Sequence, residues 1–379
     1  MKILFTAGIF YPDVGGPAIH VLKIAEAMQA NGFDVTVLAY GDDKTNKKFP
    51  FKVIRVSRRL PKVLQWLIYY FIVMYKCIGS KAIYAFDPTA AGLPACLASI
   101  IFRKPFIIRI GGDPIWERTV EMGKRFITIN DYYKQGLYKV DKPILYKLIR
   151  FIIKKADKII VYGQFFKDFY INYYGANQDK IVIVKNPVVR KEKSNSQIQD
   201  IPTLLFAGRF VSYKNLELVI EVFNNIVKKI GKGKFILVGS GPDKNKLVDL
   251  VDKLSMKETV IFKDSVPQSE LFDYIRNSTV CIGPALSEFN PNFILESLSL
   301  GKPVLLTKGN GLSVVLPEEF LFKPFDKKEL EDRILNMFDK KLYPNMIEIV
   351  NSLPLNQSWD VVTDTHISIV KDVIIVKKL

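Results

Sequence analysis

Cysteine and histidine are scarce in this chain of 379 residues. Its three cysteines, Cys77, Cys96 and Cys281, are odd in number, far apart and each placed in an apolar run. No CxxC pair occurs, and only His20 and His366 could add imidazole ligands. These counts argue against a disulfide framework and a zinc cluster, because both need several closely placed thiols or imidazoles. We therefore expect buried free thiols and a cytoplasmic protein.

Secretory signals and paired aspartates are missing as well. Residues 1–7 predict a short buried strand, and Gly15 interrupts the sequence too early for the apolar region of a signal peptide. No two aspartates stand two positions apart, so the chain lacks the DxD pair through which many enzymes hold a divalent metal. We therefore expect neither a metal ion nor another cofactor.

The apolar segment 63–78 permits two interpretations. Its strongly apolar part, residues 66–75, is ten residues long and too short to span a bilayer, which favours a buried crossover helix. The alternative is a helix partly inserted into a membrane interface, because aromatic and basic side chains lie within and around it. These side chains are Trp66, Tyr69, Tyr70, Arg55, Arg58, Arg59, Lys62, Lys76 and Lys81.

Negative charge is lacking in the first half of the chain. Residues 1–200 contain 32 Lys or Arg against 16 Asp or Glu, a balance of +16, whereas residues 201–379 contain 23 against 22, a balance of +1. Such asymmetry indicates a polyanionic partner or an anionic membrane surface. The alternative is that the charge serves solubility alone, and we expect no nucleic-acid partner.

Short apolar runs alternate with longer amphipathic ones in two series. The first predicts strands over 2–7, 35–39, 81–86, 105–110, 158–162 and 180–184, with helices over 18–30, 90–102 and 164–174. The second predicts strands over 203–207, 234–238, 259–262, 280–283 and 303–307, with helices over 216–230, 244–254, 269–276 and 293–300. This alternation, broken by a polar linker over 190–200, predicts an α/β chain of two tandem doubly wound, Rossmann-like domains facing across a cleft. Ligands bind such sheets at the carboxyl ends of the strands.

The segment 287–306 carries the most informative pattern. Pro291 begins a predicted short helix with Asn290 or Asn292 as its cap, and free amides at such a helix start can hold a phosphate. Glu288 before the helix and Glu296 within it could accept hydrogen bonds from sugar hydroxyls. The alternative is an exposed helix with two solvated glutamates.

Two further turns follow predicted strands in the second half. Gly208 ends a strand, and Arg209 and Lys214 follow it, where two cations could neutralise a diphosphate leaving group. Gly239 and Gly241 form a GxG turn that lacks the third glycine of the dinucleotide fingerprint. Ordinary surface bases and an ordinary tight turn are the alternatives.

The first half offers two glycine-containing loops. Adjacent glycines let backbone amides approach a phosphate, and the side chains that follow could contact an acceptor. The candidates are Gly15, Gly16 and His20 in the first loop, and Asp113, Trp116 and Glu117 after Gly111 and Gly112 in the second. A structural histidine and a glycine turn capped by Asp113 are equally open interpretations.

Taken in order, these motifs resemble the retaining glycosyltransferases of family 4, which have the GT-B fold. The resemblance covers nearly the whole chain. It comprises the GG loop (Gly15, Gly16), GR…K (Gly208, Arg209, Lys214), GxGP (Gly239, Gly241, Pro242), E-x7-E (Glu288, Glu296), GKPV (301–304) and a final helix after Ser358 and Trp359. It implies an acceptor-binding domain over 1–188, a donor domain over 189–356, and a helix over 357–379 that packs back onto the first domain.

The resemblance also implies a role for each matching residue. Arg209 and Lys214 would bind the donor diphosphate, Glu296 would hold the ribose, and Glu288 would face the transferred sugar. Backbone amides near Asn292, Phe293 and Ile294 would assist, and Gly16 would approach the diphosphate from the other domain. The nucleotide sugar would be a co-substrate, and the leaving phosphate would take the acceptor proton, so that no protein nucleophile is needed.

The chain departs from the family pattern at two places. Phe289 to Asn292 replace the Gly-Phe-Gly that often follows the first glutamate. Asp113 and the glycines before it occupy the place where many members have a histidine, so we expect Asp113 to take over that contact.

The expected function is therefore transfer of a sugar to a hydroxyl acceptor, such as a lipid-linked or polysaccharide precursor at the inner face of the membrane. The alternatives are a nucleotide-sugar epimerase or hydrolase on the same fold, and a non-catalytic protein that binds polyanions or membranes.

Overall fold

The computed structural model describes residues 1–13, 16–42, 47–192 and 198–377. The chain divides into two compact units, and both are discontinuous in sequence. Unit 1 comprises Met1–Ile115, Tyr138–Pro187 and Gln357–Leu379, and unit 2 comprises Trp116–Leu137 and Val188–Asn356.

The described strands and helices follow one another along the chain as the alternating sequence pattern suggests. The strands are β1 (Lys2–Ala7), β2 (Asp34–Tyr40), β3 (Lys52–Val56), β4 (Ala82–Ala85), β5 (Phe106–Arg109), β6 (Lys158–Val161), β7 (Ile181–Ile183), β8 (Val188–Val189), β9 (Thr203–Ala207), β10 (Lys234–Val238), β11 (Val260–Lys263), β12 (Val280–Gly283), β13 (Val304–Thr307), β14 (Leu321–Phe322) and β15 (Asn356–Gln357). The helices are α1 (Gly16–Ala30), α2 (Lys62–Ile78), α3 (Gly92–Ile101), α4 (Pro114–Glu121), α5 (Ile129–Lys134), α6 (Tyr138–Asp141), α7 (Pro143–Lys155), α8 (Gln164–Tyr174), α9 (Leu216–Ile230), α10 (Lys244–Lys253), α11 (Gln268–Arg276), α12 (Asn292–Ser299), α13 (Lys327–Phe338), α14 (Tyr343–Ser352) and α15 (Trp359–Val376).

Unit 1 is built on a parallel sheet with the strand order β3-β2-β1-β4-β5-β6-β7. Its central strands β1, β4 and β5 are nearly continuous buried runs, as expected where helices cover both faces of a parallel sheet. The sequence analysis missed the edge strand β3, because its lysine and arginine interrupt the apolar pattern and only Val56 in it is fully buried.

Unit 2 contains a second parallel sheet with the order β11-β10-β9-β12-β13-β14. One hydrophobic core holds these strands against α9, α12 and α13, with Phe206, Phe223 and Phe235 among its large side chains. The two sheets confirm the predicted fold class, an α/β chain with two Rossmann-like domains. The two-residue strand β14 is too short for a periodicity to reveal it.

One segment of the first half of the chain, Trp116–Leu137, belongs to unit 2 and not to unit 1. The predicted first domain, residues 1–188, included this segment. Its indole at Trp116 is fully buried and packs edge-on against the rings of Tyr213 and Phe289, at 5.4 and 5.6 Å between centroids. Burial of large aromatic side chains thus places the segment on unit 2, although no break in the sequence pattern marks its ends.

The last helix, α15, is part of unit 1 and packs against α1. Ser358 caps it by accepting a hydrogen bond from the amide of Val361 at 3.3 Å. Inside the unit, the fully buried His366 faces Tyr84, with 2.7 Å between Nδ1 and the phenol oxygen. Burial and the charge of Arg109 lower the pKa of His366 well below its usual value, so this imidazole is neutral.

Two expectations from composition can be compared with the described residues. Cys77, Cys96 and Cys281 are buried free thiols, and burial raises the pKa of Cys77 to about 11. Among the helices in the described ranges, none combines the length and the hydropathy that crossing a bilayer requires.

The buried face of α15 leads to a matched test. Ile374 is 4% exposed and its neighbour Ile375 is 58% exposed. We expect Ile374→Ala to lower the free energy of unfolding by about 2–5 kcal/mol, because it leaves a cavity in unit 1. Urea denaturation should show an effect below about 0.5 kcal/mol for Ile375→Ala, as for most surface substitutions. Equal effects would contradict the docking of α15.

Candidate functional site

Two turns of unit 2 pack back to back at the carboxyl ends of β9 and β10. The amide of Gly208 donates to Val238 O at 3.0 Å, and the amide of Phe210 donates to Ser240 O at 2.8 Å. A Cβ added to Gly239 would lie 2.0 Å from Gly208 O, and one added to Gly241 would lie 2.2 Å from Phe210 O. The two motif glycines are therefore required by backbone packing, which fixes the turn that presents Arg209.

A buried ion pair connects the turn after β9 to the loop after β12. Lys214 Nζ lies 2.5 Å from Glu288 Oε1, and the two side chains are only 16% and 10% exposed. The loops are also joined by the amide of Leu286, which donates to Tyr213 O at 2.8 Å. Asn215 then takes a left-handed conformation, and its side chain donates to Pro324 O at 2.7 Å. Lys214 and Glu288, predicted to work at one site, are thus in direct contact.

Arg209 projects from the same turn and stays largely exposed. Its guanidinium lies 3.1 Å from the carboxylate of Glu121, the last residue of α4, and 66% of the arginine side chain is accessible. Ser212 fixes α4 nearby by donating to Val120 O at 3.0 Å. Because exposed ion pairs contribute little free energy, a polyanionic ligand could replace Glu121 as the partner of Arg209.

Tyr213 lies between these two cations in sequence and is half-buried. Burial raises its pKa strongly, and the carboxylates of Glu117, Glu288 and Glu121 raise it further, so the phenol stays neutral. The sequence analysis missed both Tyr213 and Glu121. In the sequence, Tyr213 could be noticed only as an aromatic residue directly before Lys214. Only the fold shows that carboxylates surround its phenol.

The start of α12 differs from the expected cap. The helix begins at Asn292, Pro291 occupies the N-cap position, and no side chain caps the first turn. The prediction that Asn290 or Asn292 caps this helix is therefore wrong. The ring of Pro291 restricts the backbone before the helix. The φ of +122° at Asn290 turns this residue away from the first turn of α12.

Asn290 instead faces Ser313 in the loop after β13. Its Oδ1 accepts a hydrogen bond from the amide of Ser313 at 3.2 Å, and the asparagine is 8% exposed. Within the described residues, Asn290 Nδ2 and Ser313 Oγ are buried and have no hydrogen-bond partner. Buried polar groups are nearly always paired, so these two unpaired atoms are an exception, and they lie in the loops next to Glu288.

Glu296 lies in the second turn of α12 and is half-buried. Gln268 donates a hydrogen bond to its Oε1 at 2.5 Å. Burial raises the pKa of Glu296, while this hydrogen bond and the charge of Lys191 oppose the shift. The amides of Phe293 and Ile294 lie in the first turn of α12, before Glu296. The amide of Ile294 already donates to Pro291 O at 3.1 Å.

The first-half candidates have other surroundings. His20 is buried in unit 1, where Arg109 Nη2 lies 3.2 Å from its Nδ1 and the ring of Trp359 lies 5.0 Å from its own. Burial and then the charge of Arg109 lower the pKa of His20 well below its usual range. It is a neutral core residue, which agrees with the structural interpretation left open above.

Asp113 and Trp116 are also fully buried. Asp113 accepts a hydrogen bond from the hydroxyl of Tyr174 at 2.5 Å within unit 1. Trp116 Nε1 donates to Ile127 O at 2.9 Å within unit 2.

The remaining first-half candidates are Gly15, Gly16 and Glu117. Gly16 starts α1 and is half-buried, Glu117 is half-buried in α4, and Gly15 lies outside the described residues. Across the described part of the chain, no three His, Cys, Asp or Glu side chains are grouped so that they could hold a metal ion.

Two protein families match the chain. The family described as Glycosyltransferase Family 4 matches residues 14–191, and the one described as Glycosyl transferases group 1 matches residues 189–350. Together the two matches extend across both units.

Individual proteins similar to the chain have diverged far in sequence. An uncharacterized glycosyltransferase of Methanocaldococcus jannaschii is 24% identical over 82% of this chain and 78% of its own length. The alpha-monoglucosyldiacylglycerol synthase of Streptococcus pneumoniae is 21% identical over 80% of this chain and 70% of its own length. The crystal structure of Anabaena HepE in complex with UDP-glucose superposes with a TM-score of 0.75 and 16% identity, covering 98% of this chain and 100% of that one.

The buried pair of Lys214 and Glu288 gives a test that needs no ligand. Lys214→Met leaves a buried carboxylate without its counter-charge, and we expect a loss of about 3 kcal/mol in the free energy of unfolding. Lys214→Met/Glu288→Gln should recover much of this loss, because no unpaired charge remains. Lys246→Met, which breaks an exposed pair with Glu217, is the control and should have little effect in denaturant titrations. Equal losses for the single and double variants would contradict the pairing.

Proposed function

Because the chain belongs to glycosyltransferase family 4 and has the GT-B fold, we propose that this glycosyltransferase moves a sugar from a nucleotide-sugar donor to a hydroxyl acceptor. The observation that carries the proposal is the cluster of Arg209, Lys214 and Glu288 at the carboxyl ends of β9 and β12. The cluster combines an exposed arginine and a lysine held by an ion pair with a carboxylate. The two cations suit a diphosphate, and the carboxylate suits sugar hydroxyls.

The two cations would bind the donor diphosphate and stabilise the charge that develops on it as the sugar leaves. Arg209 is exposed and exchangeable, so it can give up Glu121 for a phosphate oxygen. Lys214 is held in place by Glu288 and supplies a fixed charge. Charge placed in advance, where the leaving group becomes more negative, lowers the barrier without reorganisation.

The transferred sugar would lie against the loop after β12. Glu288 can accept hydrogen bonds from its hydroxyls, and Asn290 Nδ2 and Ser313 Oγ are buried atoms still able to bond. Glu296 would accept hydrogen bonds from the ribose through the oxygen that Gln268 leaves free. UDP-sugars are the first donors to test, because HepE has been crystallised with UDP-glucose.

The proposed transfer retains the configuration of the sugar. The acceptor would attack from the face that the diphosphate leaves, and the departing phosphate oxygen would take the acceptor proton. Arg209 and Lys214 would carry out the charge neutralisation that a divalent metal provides in enzymes with a DxD pair.

A lipid-linked or polysaccharide precursor at the cytoplasmic face of a membrane is the proposed acceptor. Two observations support it. The net charge of residues 1–200 is +16, from 32 basic and 16 acidic side chains, and the Streptococcus relative is named for a glucosyldiacylglycerol, a lipid. A positive surface attracts anionic lipids and phosphate-bearing carriers.

Donor binding can be measured by thermal shift across UDP-, GDP- and ADP-sugars and the free nucleotides. We expect one nucleotide class to raise the melting temperature, and Arg209→Ala to weaken its affinity by at least about tenfold through loss of a charge-assisted bond. Arg276→Ala, an exposed arginine paired with Glu192 elsewhere in unit 2, is the matched control. If both variants bound the donor like the wild type, Arg209 would not belong to the site.

Turnover separates Glu288 from simple binding. We expect Glu288→Gln to slow transfer by about 100-fold or more while the fold persists, since it removes charge near the reacting sugar. Transfer measured with EDTA present should equal that without it. Strong inhibition by EDTA, reversed by a divalent ion, would overturn the metal-independent mechanism.

A further inference from the structure

Helix α2 of unit 1 exposes an apolar stripe to solvent. Val63, Leu67, Phe71, Tyr75 and Ile78 follow one another at spacings of four, four, four and three residues, which places them along one helix face. Each is 49–74% exposed, and the adjacent Trp66 is 50% exposed. Single exposed apolar residues are common, but a continuous stripe along a whole helix marks an interaction surface.

The opposite face of α2 is fixed to the core of unit 1. Tyr69, Val73 and Cys77 are fully buried. The hydroxyl of Tyr69 donates to Leu38 O at 3.0 Å and accepts from the amide of Ala7 at 3.1 Å. The helix therefore cannot rotate to bury its stripe, and α2 is a crossover helix with an apolar outer face.

The helices next to the stripe carry only positive charge. α2 packs against α3, and α3 contacts α7. These three helices contain no Asp or Glu, and their basic side chains are Lys62, Lys76, Lys147, Arg150, Lys154 and Lys155. Arg58 and Arg59 precede α2 and are paired with Asp13 and Asp42, at 2.7 and 3.9 Å, and Arg103 follows α3. An apolar stripe on a helix with Lys62 at its start and Lys76 in its last turn, in a basic part of unit 1, is complementary to a surface that is apolar inside and anionic outside.

We infer that the exposed face of α2 docks unit 1 on an anionic lipid bilayer. The helix would lie parallel to the membrane, with Phe71 and Tyr75 among the acyl chains and Trp66 at headgroup level. Lys62 and Lys76 would meet lipid phosphates. A second copy of this chain fits less well, because a symmetric contact would bring these basic groups against one another without any carboxylate.

Docking through α2 would hold the enzyme at the surface where a lipid-linked acceptor resides. The inference deepens the proposed membrane-borne acceptor, but the docking itself needs neither donor nor acceptor. A chain that bound anionic vesicles and transferred no sugar would overturn the proposed function and leave the docking surface intact.

Vesicle co-sedimentation without substrates tests the inference. We expect the full chain to bind phosphatidylcholine vesicles only when they contain phosphatidylglycerol, and to dissociate as salt is raised. Phe71→Ser/Tyr75→Ser should weaken binding at least about tenfold, because the inserted apolar surface is lost. Lys62→Gln should weaken it by about fivefold, the effect of one basic group near an anionic surface.

A matched control and a direct readout accompany this test. Val315→Ser/Met122→Ser alters two exposed apolar residues of unit 2 and should bind vesicles as the wild type does. The fluorescence emission of Trp66 should shift to the blue on binding, because its exposed indole leaves water. Trp116 is already buried, and Trp66→Phe should remove the shift. The inference is overturned if the chain does not bind at low salt, if the α2 double variant binds normally, or if sedimentation equilibrium shows a dimer that this variant dissociates.

Discussion

The ion pair between Lys214 and Glu288 is the contact on which the candidate site depends. It joins the turn after β9 to the loop after β12, two neighbouring strands of the unit 2 sheet. A buried carboxylate and a buried ammonium each need the other, so neither loop can move without exposing an uncompensated charge. The pair therefore fixes the position of Arg209 on one side and of Asn290 on the other, and it gives the site a rigid base with one exchangeable cation.

The segment Trp116–Leu137 adds two contacts to the loops that this ion pair joins. It brings Glu121 to Arg209 and Trp116 to Tyr213, so residues far apart in the chain share one electrostatic environment. Besides burial, the carboxylates of Glu117, Glu288 and Glu121 raise the pKa of Tyr213, while the charge of Arg209 lowers it. In the proposed donor complex, a diphosphate would take the place of Glu121 as the partner of Arg209.

Unit 1 shows a different use of charge. Its buried polar groups, His20 and Arg109 among them, are bonded to one another inside the fold, whereas its excess lysines and arginines lie on the helices outside. The apolar stripe of α2 belongs to the same basic outer part of unit 1. The proposed donor chemistry belongs to unit 2, and the proposed surface attachment belongs to unit 1.

The sequence by itself determined the strand–helix alternation, the two parallel sheets and the cluster of Arg209, Lys214 and Glu288. Periodicity is a local property, so the alternation and the sheets follow from residues close together in the chain. Glu288 is 74 residues from Lys214, and the resemblance to a family, not local spacing, assigned both to one site. It also marked segment 63–78 as either buried or interfacial, without deciding between them.

Only the tertiary structure decided the rest. His20, Asp113 and Trp116 follow glycine loops as site residues do, yet packing within the units buries all three. Tyr213, Ser313 and Glu121 carried no motif, and they enter the site because strands and loops distant in sequence meet there. Tyr69 fixes which face of α2 is buried, because its hydroxyl bonds to backbone atoms of Leu38 and Ala7. These residues are 31 and 62 positions away in the chain. The physical reason is the same in each case: burial and charge pairing depend on neighbours in space, which the order of residues along the chain does not specify.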